Sequence, residues 1–151
     1  MADPPVHRID VRAFRYATEV PERVEAALET VVPALGDEEG PAVRVTATEG
    51  HFGHPIDVYE VTLEDRDAIE GSLSGLEASS ALERVLDELE SRVTDDCELF
   101  VRLDKQRAYA DGVAVLGTGI ELRIKLEAYP AKPATAIGNL RDYVEARGLR
   151  S

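Results

Sequence analysis

A short polar run, Lys105, Gln106, Arg107 and Tyr109, contains the residue types that bind a polyanion. Lysine and arginine side chains donate charged hydrogen bonds to phosphate oxygens. The Gln106 amide could bond a base edge or a 2′-hydroxyl, and the Tyr109 ring could stack on a base. The pattern allows nucleic-acid contact, although ordinary surface polar groups at the end of a strand are an equal interpretation of it.

Two histidines, His51 and His54, follow the spacing H-x-x-H in the turn segment GHFGHP, residues 50–55. A structural zinc site needs about four ligands. His7 and Cys97 supply no matching spacing, so we predict no metal site. Because a turn histidine can donate to a phosphate or a base edge, both stay as weaker candidates for the same chemistry.

Catalytic motifs are missing from the sequence. It contains neither G-x-S-x-G nor a Walker-type phosphate loop, and the GTG at 117–119 precedes a strand instead of a helix. Cys97 lies in the acidic segment DDCE, where a reactive thiolate is disfavoured. We therefore predict no catalytic residues, no cofactor and no enzymatic activity.

The composition combines 30 acidic residues with 17 basic ones and a net charge of −13. Only three of the basic residues are lysine. Many carboxylates with few lysines indicate a halophilic protein from a salt-rich cytoplasm, where the Debye length falls to about 3 Å at molar salt. The net charge then reflects the solvent more than the partner, and it does not exclude a nucleic acid.

The chain of 151 residues is predicted to form one domain, 1–151, with a single core. It has no run of 18 apolar residues, which predicts no membrane span, and the start MADPPVHRID lacks the apolar core of a signal peptide. We expect a cytoplasmic protein.

Hydrophobic periodicity predicts the elements that would position these residues. Period-two alternation predicts five strands, over 6–18, 42–49, 56–63, 99–104 and 119–129. In the second strand Val43, Val45 and Ala47 have the inward phase.

Helical spacing predicts a first helix whose buried stripe consists of Val24, Leu28, Val31 and Leu35. It also predicts a helical region over 66–93 that breaks near 71–75, and a last helix over 133–147. This order predicts an α+β fold: a two-layer sandwich with a mixed or antiparallel sheet, helices packed on one face and the other face exposed.

The acidity belongs to the predicted helices. Residues 19–40 contain seven acidic and one basic residue, and residues 64–98 contain twelve and three. The outward phase of the strands instead carries six basic residues: Arg8, Arg12, Arg44, Arg102, Arg123 and Lys125. Since Asp10, Glu121 and Glu127 share that phase, the pattern fits either cross-strand ion pairs or arginines that meet phosphates.

Four segments, VHRIDVRAF, EGHFGHPI, LFVRLDKQRAY and KLEAYPAKP, occur in this order between residues 6 and 133. In these segments the chain resembles a family of small archaeal RNA-binding proteins that are described as predicted exosome subunits and whose fold is similar to that of ribosomal protein L5.

The resemblance implies an L5-like sandwich that binds RNA without catalysis, with a role near RNA processing or degradation and exosome proteins as partners. Carried onto matching segments, the RNA-binding candidates are Arg102, Lys105, Gln106, Arg107 and Tyr109, with His51 and His54 more weakly. The alternative is a protein-interaction module without RNA contact, whose exposed sheet face or edge pairs with a partner or forms a homodimer.

Overall fold

The computed structural model describes residues 3–79 and 81–146, which contain five β-strands and six α-helices. The strands are β1 (Val6–Tyr16), β2 (Arg44–Glu49), β3 (Pro55–Leu63), β4 (Glu98–Asp104) and β5 (Gly119–Leu126). The helices are α1 (Pro21–Val31), α2 (Arg66–Ala78), α3 (Ala81–Asp87), α4 (Leu89–Arg92), α5 (Lys105–Ala110) and α6 (Pro133–Ala146). Short 3₁₀ turns follow α1 and join β2 to β3.

The five strands form one antiparallel sheet in the order β2-β3-β1-β5-β4. Side chains alternate between its two faces, so every second residue points into the core. In the central strand β1 these residues are Ile9, Val11 and Ala13, each at most 1% exposed. The helices cover this face, and the predicted two-layer α+β sandwich is confirmed.

The helical layer follows the predicted apolar stripes with two differences. The predicted stripe residue Leu35 lies beyond the end of α1, in the 3₁₀ turn that follows, and is only partly buried. Val24, Leu28 and Val31 of α1 are buried as expected. The predicted break near 71–75 is wrong, because α2 runs through both glycines to Ala78. Burial of Leu73 and Leu76 in the core outweighs the helix-weakening effect of two glycines, about 1 kcal/mol each.

Helix α5 is an element that periodicity did not predict. The strand β4 ends at Asp104, and the next six residues turn into a helix that packs on α1. The Asp104 carboxylate caps it by accepting a hydrogen bond from the Arg107 backbone N–H at 2.9 Å. The polar run of the sequence therefore lies on a short helix at the end of the sheet, not on a strand.

The two lateral edges of the sheet differ. The outer edge of β4 is occupied by residues 93–94 and 115–117, with hydrogen bonds from Gly117 N to the Arg102 carbonyl and from Asp104 N to the Val115 carbonyl. Strand β2 forms the other edge, and all six of its residues are exposed. The inward phase predicted for Val45 is right, because it pairs with the buried Tyr59, but Val45 itself stays 51% exposed.

None of the helices in the described ranges is long and apolar enough to cross a membrane.

Candidate nucleic-acid interface

Five charged side chains form a single row across the uncovered face of the sheet. The strand register aligns Arg44 of β2, Glu60 of β3, Arg12 of β1, Glu121 of β5 and Arg102 of β4. The charges alternate in sign along this row, which we call the charged row. With neighbouring strands about 4.8 Å apart, it spans roughly 19 Å, the full width of the sheet.

The ion pairs of the charged row are loose. Glu60 lies between two guanidinium groups, 3.2 Å from Arg44 and 3.5 Å from Arg12. Arg102 lies 3.6 Å from Glu121. The side chains of Arg44 and Arg102 are 74% and 71% exposed. Exposed pairs of this kind contribute about 0–1 kcal/mol, so a guanidinium can exchange its carboxylate for a phosphate at little cost.

A second row lies beside the first. Asp10, Arg123 and Phe100 are aligned on β1, β5 and β4. The Arg123 guanidinium carbon lies 5.6 Å from the centroid of the Phe100 ring, within cation–π range. Between the two rows the sheet forms a shallow depression of about 410 Å³.

The predicted outward phase is confirmed for each of the six basic residues to which it was assigned, and we call the surface that carries them the open face. The strand carboxylates on this face are Asp10, Glu60, Glu98, Asp104 and Glu121. Of these, Asp104 also caps α5. Six basic residues against these five acidic ones leave the strands of this face close to neutral in a chain whose net charge is −13. Glu127, which was predicted to share the outward phase, lies just beyond the end of β5 and 4.0 Å from His7.

Lys105 lies inside the protein instead of on its surface. It is 7% exposed, and its Nζ atom lies 2.6 Å from Glu19 Oε1 and 5.0 Å from the centroid of the Tyr16 ring. The same ammonium donates a hydrogen bond to the Phe14 carbonyl. Lys105 thus connects α5 to the end of β1, and a phosphate could reach it only after the Glu19 pair breaks.

The environment of Glu19 keeps its carboxylate ionised. Burial acts to raise its pKa, but the hydrogen bonds from Lys105 and from the Tyr16 backbone N–H outweigh burial. The pKa of Glu19 therefore lies below its ordinary value, and the carboxylate that faces Lys105 is ionised at neutral pH.

Gln106, Arg107 and Tyr109 lie on the exposed side of α5. Arg107 pairs with Asp111 one turn away. The Arg23 guanidinium of α1 lies 5.2 Å from the centroid of the Tyr109 ring, which is 40% exposed. Arg23 is a neighbour that sequence reasoning missed, because the acidic pattern of α1 concealed its one basic residue.

The predicted site residues do not form one patch. Arg102 lies on the open face, whereas α5 packs on the helical layer at one end of the sheet. The turn 51–53 lies at the same end, since Tyr16, the last residue of β1, pairs with Ile56 just beyond the turn. His54 is exposed there; the His51 side chain lies outside what the structure describes. No cluster of three metal-ligating side chains occurs among the described residues.

Phe52, at the tip of the β2–β3 hairpin, is 96% exposed and adopts a left-handed backbone conformation with φ 67°. Sequence reasoning took this segment only as a turn with two histidines. The available signal was an aromatic residue in a short turn bounded by Gly50 and Gly53.

The antiparallel sheet, with helices on one face and arginines on the other, defines a small α+β protein whose second sheet face carries exposed guanidinium groups. A family model described as RNA binding matches residues 8–126, and the chain belongs to this family.

Relatives of the chain are archaeal. The RNA-binding protein PAB1135 of Pyrococcus abyssi is 33% identical over 144 residues, which cover 92% of this chain and 94% of that protein. The uncharacterized protein MJ0213 of Methanocaldococcus jannaschii is 29% identical over 107 residues, covering 69% and 72%. The resemblance to archaeal RNA-binding proteins is confirmed at this level.

Solved structures share the fold. Mth689, a DUF54 protein from Methanothermobacter thermautotrophicus, is 36% identical, superposes with a TM-score of 0.77 and covers 91% of this chain and 96% of its own.

Proposed function

We propose that this protein binds RNA on its open face and catalyses no reaction on it. The charged row carries the proposal: three guanidinium groups, spaced two strands apart, face solvent on a surface that no helix covers. A guanidinium donates two parallel hydrogen bonds to phosphate oxygens, so each could hold one backbone phosphate. Membership of an RNA-binding family supports the same partner.

Helix α5 and the hairpin turn extend the proposed contact beyond the sheet. Gln106, Arg107 and Tyr109 would contact RNA that passes over the sheet end, with His51 and His54 on the other side of that end. In this proposal Lys105 acts through position only, because its pair with Glu19 holds α5 in place.

The double substitution Arg44→Ala, Arg102→Ala tests the open face. We expect RNA affinity to fall by at least ~10-fold, since each charged hydrogen bond to phosphate contributes roughly 1.5–3 kcal/mol. The slope of log affinity against log salt should decrease by about 0.7–0.9 per lost phosphate contact. Fluorescence anisotropy with labelled RNA at several salt concentrations measures both quantities.

Arg66→Ala with Arg141→Ala is the charge-matched control, because both arginines are ion-paired on helices α2 and α6, with Asp3 and Glu90, away from the open face. It should leave RNA affinity and the salt slope unchanged. Equal affinity of the control and the double variant would contradict the open face as the site.

We also propose a role in RNA processing or degradation, with exosome proteins as partners. This part rests on the four sequence segments that resemble predicted exosome subunits. Affinity purification from the native cells, with and without nuclease, tests it. Exosome proteins that disappear after nuclease treatment indicate bridging by RNA, those that persist indicate direct contact, and their absence in both samples contradicts the proposal.

A second candidate function is self-association along β2, and its exposed edge favours this candidate. Antiparallel pairing of two β2 strands centred on Thr46 would place Val45 opposite Ala47 of a second copy. Arg44 would then lie opposite Thr48, so no like charges face each other. The segment 44–49 has neither proline nor lysine, the residues that commonly block such pairing.

Val45→Lys tests the second candidate. An exposed lysine on an edge strand opposes pairing without affecting the core, so a dimeric wild type should become monomeric. Size-exclusion chromatography with light scattering, after nuclease treatment, gives the molecular mass of the wild type and of the variant. A monomeric wild type at all concentrations would exclude self-association.

A further inference from the structure

Glu60 and Glu121 place two carboxylates in the middle of the charged row, where a surface that bound only phosphates would not carry negative charge. Each lies between two arginines at the centre of the open face, with side chains 29% and 38% exposed. A carboxylate repels a phosphate placed beside it. Their position therefore calls for a chemical group on the ligand other than phosphate.

Both carboxylates keep the capacity to accept further hydrogen bonds. The Arg12–Glu60 and Arg102–Glu121 contacts, at 3.5 and 3.6 Å, are longer than the usual range of about 2.7–3.2 Å for an N–H···O hydrogen bond, and the Arg44–Glu60 contact, at 3.2 Å, lies at its upper limit. A carboxylate offers about four lone-pair positions. Acceptor sites thus face solvent between the guanidinium groups.

The RNA backbone presents the matching groups. It carries phosphates together with 2′-hydroxyls, which donate hydrogen bonds and which DNA lacks. We propose, building on the RNA-binding function above, that the charged row reads this backbone: Arg12, Arg44 and Arg102 bind phosphates, while Glu60 and Glu121 accept hydrogen bonds from 2′-hydroxyls. The face then selects RNA over DNA independently of base sequence.

The same geometry assigns helical RNA, not single strands, as the ligand. Single-strand binders rely on aromatic rings on which bases stack. The exposed ring beside the charged row, Phe100, already contacts the Arg123 guanidinium, and the rings of Phe52 and Tyr109 lie away from this row, at the end of the sheet. Neighbouring arginines of the row are two strands apart, about 9.6 Å, which suits contacts across the wide and shallow minor groove of an A-form helix.

Binding of three labelled ligands of one sequence tests the inference: duplex RNA, duplex DNA and single-stranded RNA, each about 16 nucleotides long. We expect duplex RNA to bind at least ~10-fold more tightly than duplex DNA, because DNA has no 2′-hydroxyls to donate hydrogen bonds to these charged acceptors. Single-stranded RNA should also bind more weakly than duplex RNA.

Carboxylate variants identify the discriminating groups. Glu60→Ala with Glu121→Ala removes both acceptors and should strengthen DNA binding, bringing the RNA-to-DNA affinity ratio close to one. Glu60→Gln with Glu121→Gln keeps an acceptor oxygen without the charge, so part of the ratio should survive. Glu77→Ala with Glu83→Ala, which removes two exposed carboxylates on α2 and α3, is the charge-matched control and should preserve the wild-type ratio.

The outcomes separate this inference from the RNA-binding proposal. Equal binding of duplex RNA and DNA by the wild type, or an unchanged ratio in the alanine variant, would overturn the 2′-hydroxyl contacts while RNA binding stands. Tighter binding of single strands would overturn the helical ligand. Failure to bind any RNA would overturn the function itself. Circular dichroism melting confirms that each variant is folded.

Discussion

At the residue scale, Lys105 shows that a residue of a phosphate-binding type can have a structural role when it is buried. The sequence presents it as one of several phosphate-binding donors, and nothing in its neighbours indicates burial. In the structure its ammonium is enclosed by Glu19, the Phe14 carbonyl and the Tyr16 ring. These three residues are close to one another in the chain but lie about 90 residues before Lys105, so no local pattern could reveal the contact.

Lys105→Ala should lower the free energy of unfolding by about 2 kcal/mol, because it leaves a partly buried carboxylate without its cation. Urea denaturation at neutral pH measures the change. Arg107→Ala, on the exposed side of the same helix, should change stability by less than about 0.5 kcal/mol. A Lys105→Ala variant as stable as Arg107→Ala would contradict the structural role of Lys105.

The pH dependence of that loss follows from Glu19, whose pKa is lower in the folded protein than its ordinary value of 4.5. A carboxylate with a lowered pKa stabilises the fold above its unfolded-state pKa, and the contribution disappears as pH falls through the folded-state pKa. The difference between wild type and Lys105→Ala should therefore be full at neutral pH and shrink below 4.5.

At the element scale, the strands were predictable and α5 was not. Strict alternation identifies β5, where Ile120, Leu122 and Ile124 are buried in turn. Helix α5 has six residues, and its buried side chains are a lysine and an alanine, so it has no apolar stripe to detect. Its position depends on Gly119, the first residue of β5, where φ is +109°.

Gly119→Ala should destabilise the protein by about 2 kcal/mol or more, since an L-residue rarely adopts this φ and the added Cβ would lie 2.6 Å from Lys105 Cβ. Thermal melting followed by circular dichroism measures the effect. The control is Gly71→Ala within α2, where an added Cβ meets nothing within 4 Å. That variant should gain up to about 1 kcal/mol from higher helix propensity. Equal melting temperatures for both variants would contradict this account.

At the scale of the whole molecule, counts of acidic and basic residues along the sequence predict that the acidic residues lie on the helices. The arrangement of the basic residues on the sheet was predictable only in part. Alternation assigns six basic residues to one face of the sheet, but it does not determine which strands are neighbours. The register supplies that information by bringing Arg44, from a strand at one edge, into line with Arg102 at the other. The alternation of sign along the charged row follows from strand order, which no local pattern encodes.

The inequality of the two sheet edges limits how large an assembly can become. Along β4 the hydrogen bonds to residues 115–117 already occupy main-chain groups, so among the described strands β2 alone offers a lateral edge for another chain. If two copies pair there, each β2 strand occupies the free edge of the other, and the assembly is limited to two copies. Fibrous polymerisation by strand addition is thereby closed off, and the joined sheets would offer a continuous ten-stranded platform twice as wide.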